Sequence, residues 1–210
     1  MNNKYWLMLL FVIFFQFIFG FVFNLYIFND RVYFNSFIDK LDSDQIESMI
    51  AFNRKYSWVS LVLNPLLYLI KLFLISISIY FIKIIIGKAF NASFVQIFMG
   101  VTKADLIFLA LALFRVVYFL SNPPDNLDDI QNFAPGSLFQ LVSQVNEPWL
   151  VYPLQAISIW ELGFVLLLAF QLKEYFQNDF ALSLQNVLLS YGSIFLLWIV
   201  FVVFITLNLT

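Results

Sequence analysis

Three ionisable side chains, Lys71, Arg115 and Glu161, lie well inside long apolar stretches of the sequence. A charge at the middle of a bilayer costs at least about 2.5–3.5 kcal/mol on insertion scales, so by default it marks a site or an ion pair. Lys71 and Glu161 each lie about 18–20 Å from the start of their stretches, which gives them similar depths. Arg115 lies about 8 Å from the end of its stretch, where its side chain can reach the interface.

Other polar residues share a helical face with these charges, at about 100° per residue. Such faces should point inward, because a lipid-facing polar group would have no hydrogen-bonding partner. On the first apolar stretch, Gln16, Gly20 and Asn24 recur every four residues and predict a further inward face. The candidate intramembrane polar cluster consists of Lys71, Arg115, Glu161, Asn64, Tyr68, Gln155 and Ser158.

The cluster has two interpretations. In the structural one, Lys71 and Glu161 form an interhelical ion pair, and the neighbouring amides and hydroxyls lock helices together. In the functional one, the cluster lines a cavity that binds an ion, a proton or an anionic headgroup. A carboxylate beside two bases should stay ionised, which argues against a proton carrier. With Arg115 included, the trio has a net positive charge, which favours an anionic ligand.

The composition argues against a soluble domain and against most classes of enzyme for this chain. Hydrophobic residues make up 62% of the chain and charged residues 11%, whereas soluble domains have about 25% charged residues. The chain contains no Cys and no His, which removes thiolate nucleophiles and nearly every zinc site. We therefore expect no catalytic residues, no cofactor and no metal site. Without a basic block, we expect no nucleic acid partner, and the lipid bilayer and other membrane proteins remain as partners.

Five stretches are apolar enough to cross a membrane, since about 20 apolar residues span the hydrocarbon core. We predict an all-α integral membrane protein with a single membrane domain, residues 1–210, built as a bundle of five transmembrane helices. Short amphipathic interfacial helices should occupy the connectors, among them the polar connector 29–57, the segment 87–103 and residues 137–145 of the outer acidic loop 122–148. The predicted spans are residues 5–28, 58–86, 104–120, 149–172 and 187–209.

The distribution of Lys and Arg near the span ends predicts the orientation. Lys88, Lys103 and Lys173 place the second and fourth connectors in the cytoplasm. The N-terminus is then cytoplasmic and the C-terminus lies outside, in a bacterial inner membrane. Four bases in the first connector disagree with this orientation, namely Arg31, Lys40, Arg54 and Lys55.

From Trp58 onward the chain resembles the bacterial branch of the Yip (Ypt-interacting protein) superfamily in hydropathy and connector lengths. The resemblance rests on the linker Phe94-Val95-Gln96-Ile97-Phe98, the span segment Ile157-Ser158-Ile159-Trp160 and the segment Ala181-Leu182-Ser183-Leu184. The long first connector departs from that family's pattern. The resemblance implies five helices with the N-terminus inside and a non-enzymatic role in membrane organisation or trafficking. It implies no catalytic residues.

Two functions follow as expectations. The first is a non-catalytic inner-membrane protein that acts as a scaffold or an accessory subunit of an envelope complex. The alternative is a transport component whose mid-membrane polar site handles an ion or an anionic solute. In a scaffold the polar cluster is needed only for helix packing. In a transport component it is needed also as the binding site of the solute.

Overall fold

In the computed structural model, which describes residues 3–86, 90–142, 145 and 147–209, the chain is built from helices and the loops that join them. Short 3-10 helices cover Leu138–Leu141 and Lys173–Tyr175, and π-helical turns cover Phe23–Ile27 and Leu188–Gly192. The α-helices are α1 (Asn3–Val22), α2 (Asp30–Phe37), α3 (Ser43–Ile86), α4 (Phe94–Ala104), α5 (Leu106–Ser121), α6 (Leu127–Gln131), α7 (Pro148–Ala156), α8 (Ile159–Leu172), α9 (Phe180–Val187) and α10 (Ser193–Leu209).

The all-α class is confirmed, and four helical stretches among the described residues are long and apolar enough to cross a membrane. They are Trp6–Ile27, Ser43–Ile82, Phe94–Ser121 and Phe180–Asn208. The remaining predicted span, 149–172, is divided into α7 and α8, each shorter than the roughly 20 residues that a bilayer requires. The structure therefore supports four spanning helices by length and composition.

The chain groups into two compact units. The first comprises Met1–Leu69 and Leu109–Phe133, and the second comprises Ile70–Phe108 and Ala134–Thr210. Two of the three boundaries fall within α3 and α5, so both units contain parts of these helices, and the third lies in the loop at residues 133–134. The single membrane domain stays a prediction.

In the first unit, α1 lies against the first part of α3. The side-chain amide of Asn24 donates to Gly20 O over 2.9 Å and to the Ser60 hydroxyl over 3.1 Å. A Cβ atom at Gly20 would lie 3.8 Å from both Asn64 and Leu61. Both distances are ordinary van der Waals contacts, so α1 and α3 pack side by side at Gly20. The polar face predicted on the first stretch contacts α3 through Gly20 and Asn24.

A small apolar core in the same unit joins the end of the first helix to the loop after α5. Its buried members are Ile27, Val32, Phe119 and Ile130. Arg31 of α2 also pairs with Asp125 at 2.9 Å. Residues 29–37 are thereby fixed against residues 119–130.

In the second unit, α8 packs between α4 and α9. A Cβ atom at Gly100 would lie 3.2 Å from Leu172 Cδ2, and the Ser183 hydroxyl donates to Ala169 O over 2.8 Å. Phe90 and Phe176 stack with their ring centroids 4.3 Å apart, and both are fully buried. The small and hydroxyl side chains let these helices pack closely.

The connectors differ from the predicted layout in three places. Residues 94–103 of the second connector belong to α4, which is part of the candidate spanning stretch Phe94–Ser121. Residues 43–57 of the first connector are helical and continuous with the apolar part of α3, so no loop separates connector and span. Within predicted helix 137–145, the described residues contain only the 3-10 helix Leu138–Leu141. Residues 143 and 144 of that predicted helix lie outside the described residues. The same holds for Lys88, one of the lysines from which the orientation is predicted.

Candidate functional site

The break between α7 and α8 lies directly before Glu161. Pro153 lies within α7, which ends at Ala156, and Ser158 then caps α8 by accepting a hydrogen bond from the Glu161 backbone N–H over 3.2 Å. Glu161 therefore lies in the first turn of α8, where the helix dipole favours a negative charge.

The backbone groups at this break are satisfied by the loop that follows α6. Leu138 N donates to Ile157 O over 3.0 Å, and Ile159 N donates to Gly136 O over 2.9 Å. The Trp160 indole donates to Pro135 O over 2.8 Å. Irregular backbone at membrane depth is tolerated only where such partners or a polar cavity exist. The loop thus acts as the hydrogen-bonding partner of the broken helix.

Lys71 forms an ion pair with Asp105. Its ammonium lies 2.7 Å from Asp105 Oδ1 and 4.3 Å from the centroid of the Phe108 ring. The carboxylate is fully buried, whereas 42% of the Lys71 side chain is exposed. The hypothesis of a direct Lys71–Glu161 ion pair is therefore wrong in this structure, because the ammonium binds the carboxylate at the junction of α4 and α5.

Glu161 instead accepts a hydrogen bond from the Tyr191 hydroxyl, at 2.5 Å. Lys71 and Asp105 both lie close enough for their charges to act on Glu161. The Tyr191 ring packs edge-on against Phe164 at 5.1 Å, and the residue is buried. Four helical segments, α3, the α4–α5 junction, α8 and the second π-helical turn, thus contribute polar groups to one cluster.

The structure distributes the predicted cluster residues between the two units. Lys71, Glu161, Ser158 and the half-buried Gln155 belong to the second unit, where the first three take part in the contacts just described. Tyr68 of the first unit is buried, and Asn64 of the same unit is exposed.

Arg115, the third predicted charge, binds backbone rather than a carboxylate in the first unit. Its guanidinium donates to Phe133 O over 2.6 Å. Its Nε atom is buried and makes no hydrogen bond with another described residue. Arg115 thus ties α5 to the end of the loop that carries α6.

Sequence reasoning missed Asp105 and Tyr191 as members of the cluster. Asp105 lies at the start of the predicted span 104–120, and a charge at the end of a span is predicted to reach the interface. The structure buries it completely, because α4 and α5 together form one long apolar stretch, Phe94–Ser121, with Asp105 near its middle. The available signal was the apolar character of α4 on the other side of Asp105.

The cluster in the second unit contains two carboxylates, one amine and one phenol. With Lys71 bound to Asp105, Glu161 accepts a hydrogen bond from a hydroxyl, and none of the bases that the structure describes forms an ion pair with it. Acids therefore outnumber bases in this unit's cluster, in contrast to the trio expected from sequence. Such a set can hold helices together, and it can also interact with a cation or a proton.

These features define an all-helical protein with helices long enough for several membrane crossings. Comparisons with protein-family models, curated proteins and solved structures found no match to this chain. The resemblance to the Yip superfamily therefore stays a prediction.

Proposed function

We propose that this chain is a non-catalytic, multi-pass membrane protein that acts as a scaffold or accessory subunit of a larger complex in the bacterial inner membrane. In this proposal it has five membrane-spanning segments, and the fourth, 149–172, crosses as the broken helix α7–α8. The N-terminus lies in the cytoplasm and the C-terminus outside.

The internal pairing of the intramembrane charges carries this proposal. Lys71 binds Asp105, Glu161 binds Tyr191, and Arg115 binds the Phe133 carbonyl. Groups that already bind one another contribute helix–helix specificity, as buried polar groups do in membrane bundles. A protein whose polar groups are used in packing can still bind partners through its outer surface.

The outer surface offers abundant apolar area for such contacts. On α10, the large side chains of Leu196, Leu197, Trp198 and Phe201 are all at least half exposed. Lipid or the apolar surface of another membrane protein can cover this face. We therefore assign partner binding to the outside of the helices.

The test compares the partners and the cellular role of a neutralised variant with those of the wild type. The chain is extracted in a gentle detergent with its native partners, which are identified for the wild type and for Lys71→Met/Asp105→Asn. A scaffold should keep its partners and complement a deletion strain in the double variant. A variant that folds and binds every partner yet fails to complement would contradict the scaffold role.

A second candidate, a transport component, is favoured by the broken helix beside Glu161. In secondary transporters, discontinuous helices form the substrate and ion sites near the bilayer midplane. The excess of carboxylates in the polar cluster, Asp105 and Glu161 against Lys71, favours a cation or proton over an anionic solute at this point. Glu161→Gln separates the two functions, because a transport component should lose solute flux in proteoliposomes, whereas a scaffold should lose neither partners nor phenotype.

A further inference from the structure

A charged cleft lies between α2 and the first turns of α3, away from the polar cluster. Its volume is about 470 Å³, which is within the usual range of about 300–1,000 Å³ for small-molecule sites. Asp30, Arg31 and Asn35 line one side, and Glu47 and Arg54 line the other. Phe34 and Ile50 add an apolar wall. The cleft thus combines charges of both signs with a hydrophobic surface.

The two arginines of the cleft are held in place by carboxylates. Arg54 donates to both carboxylate oxygens of Asp30, and Arg31 donates to Asp125 over 2.9 Å. Glu47 is exposed and forms no ion pair with another described residue. Among the described residues, the lining therefore presents two exposed guanidinium groups, Arg31 on α2 and Arg54 on α3, each paired with one carboxylate, and a third carboxylate, Glu47, that has no ion-pair partner.

The position of the cleft along the chain places it at the depth of lipid headgroups. Asp30 follows directly after the apolar helix Trp6–Ile27. Arg54 precedes Tyr56 and Trp58, whose rings are 41% and 61% exposed, and exposed aromatic rings of this kind favour the membrane–water interface. Because α3 has 44 residues and is about 66 Å long at about 1.5 Å per residue, it exceeds a bilayer of about 40–45 Å. The charged residues of its first turns, among them Glu47 and Arg54, favour that end of α3 as the part beyond the hydrocarbon core.

The charge balance selects the class of ligand. A simple anion would meet the carboxylates of Asp30 and Glu47, and a simple cation would meet both arginines. A ligand with a phosphate and an ammonium group matches both signs, since guanidinium groups bind phosphate oxygens well. The carboxylate of Glu47 can accept hydrogen bonds from a primary ammonium.

We propose that this cleft binds a phosphoethanolamine group, with its phosphate on Arg31 and Arg54 and its ammonium on Glu47. The apolar wall of Phe34 and Ile50 covers the carbon atoms of the group. The phosphoethanolamine group belongs either to a phospholipid of the ethanolamine type or to a soluble phosphoethanolamine ester. Both present the same phosphate and ammonium to the cleft. This site lies outside the polar cluster and does not depend on the scaffold role.

The test measures lipid retention by the full-length purified protein in detergent, using native mass spectrometry. The probes are short-chain phosphatidylethanolamine, phosphatidylcholine and phosphatidylglycerol, with soluble glycerophosphoethanolamine as competitor. We expect phosphatidylethanolamine to be retained best, because choline has no N–H to donate and phosphatidylglycerol has no ammonium. Displacement by glycerophosphoethanolamine at equal concentration would assign the group to a soluble ester, and failure to displace would assign it to a lipid.

Variants of exposed residues then test the proposed contacts. Glu47→Gln should reduce the preference for ethanolamine over glycerol lipids by about tenfold, the effect of losing one charged hydrogen bond. Arg54→Lys keeps the charge but loses the two-pronged geometry, so it should weaken retention of all three lipids. Asp39→Asn, another exposed acid, is the control and should change nothing. Equal retention of the three lipids, selectivity for phosphatidylglycerol, or an unchanged preference in Glu47→Gln would overturn the proposal.

Discussion

The ammonium of Lys71 lies 2.7 Å from a carboxylate oxygen of Asp105, and that carboxylate is fully buried. The pair joins α3 to the junction of α4 and α5 within the second unit. In apolar surroundings, loss of either partner leaves an uncompensated charge. Several measurable consequences follow from this pair and its neighbours.

The Lys71–Asp105 pair should show strong coupling in a double-mutant cycle. Lys71→Met removes the ammonium that binds the buried carboxylate of Asp105 and should cost about 3–5 kcal/mol of unfolding free energy in detergent. Adding Asp105→Asn should recover part of that loss. The matched cycle of Lys71→Met with Glu161→Gln should show weaker coupling. These two groups act on each other by longer-range electrostatics and not by a direct ion pair. Equal coupling in both cycles would contradict the assignment of the pair.

The Tyr191 hydroxyl should stabilise the second unit through Glu161. Tyr191→Phe keeps the ring against Phe164 and removes one hydrogen bond to a carboxylate, so it should cost about 1.5–3 kcal/mol. Thermal unfolding in detergent measures the loss. Tyr26→Phe is the control. Tyr26 is 64% exposed, so removal of its hydroxyl should leave the unfolding temperature unchanged. A stable Tyr191→Phe would mean that the hydroxyl makes no net contribution.

The close packing of α8 on the start of α5 should depend on Gly163. A Cβ atom there would lie 2.4 Å from Ile107 Cδ1, the far end of a flexible side chain, so Gly163→Ala should cost only the displacement of the Ile107 side chain from its rotamer, about 0.5–1.5 kcal/mol. Shortening the neighbour in Gly163→Ala/Ile107→Val should restore part of the loss. Gly192→Ala, whose Cβ would lie 3.9 Å from the nearest atom, is the matched control. Its stability should equal that of the wild type.

Single introduced cysteines can count the membrane crossings, because the chain has no Cys of its own. Exposed sites serve best, so cysteines are introduced at Asn91, Gln140 and Glu174. The neighbouring positions Ala92 and Ser137 are buried and are avoided. With five crossings and the N-terminus inside, an impermeant thiol reagent should label Gln140→Cys from outside. Asn91→Cys and Glu174→Cys should react only after permeabilisation.

The same experiment decides the role of the broken helix. If residues 149–172 do not cross, Gln140→Cys and Glu174→Cys should label from the same side. Four crossings would then be correct, with α7 and α8 forming a segment that enters the bilayer without traversing it. Labelling of Asn91→Cys from outside would invert the orientation.

Hydropathy was sufficient to predict the class and most helices, since lipid imposes a clear compositional requirement on each span. It could not predict the break at Ile157 and Ser158, because both flanking segments are apolar and the break depends on hydrogen bonds to Gly136 and Leu138 far along the chain. Counting residues from the span ends predicted similar depths for Lys71 and Glu161, and both side chains belong to the polar cluster of the second unit. The ion-pair and hydrogen-bonding partners of these residues depend on how the helices pack against one another. Residue spacing within one helix carries no information about that packing.

The π-helical turn Leu188–Gly192 contains Tyr191, the hydrogen-bonding partner of Glu161. A π turn holds one residue more than the matching α turn, so it behaves as an insertion absorbed without a loop. A chain that lacked the extra residue would continue as plain α-helix, with α9 and α10 in nearly the same phase. Such a chain would differ by a single codon and keep its hydropathy profile, yet it would lose the widened turn that carries the Tyr191 hydroxyl.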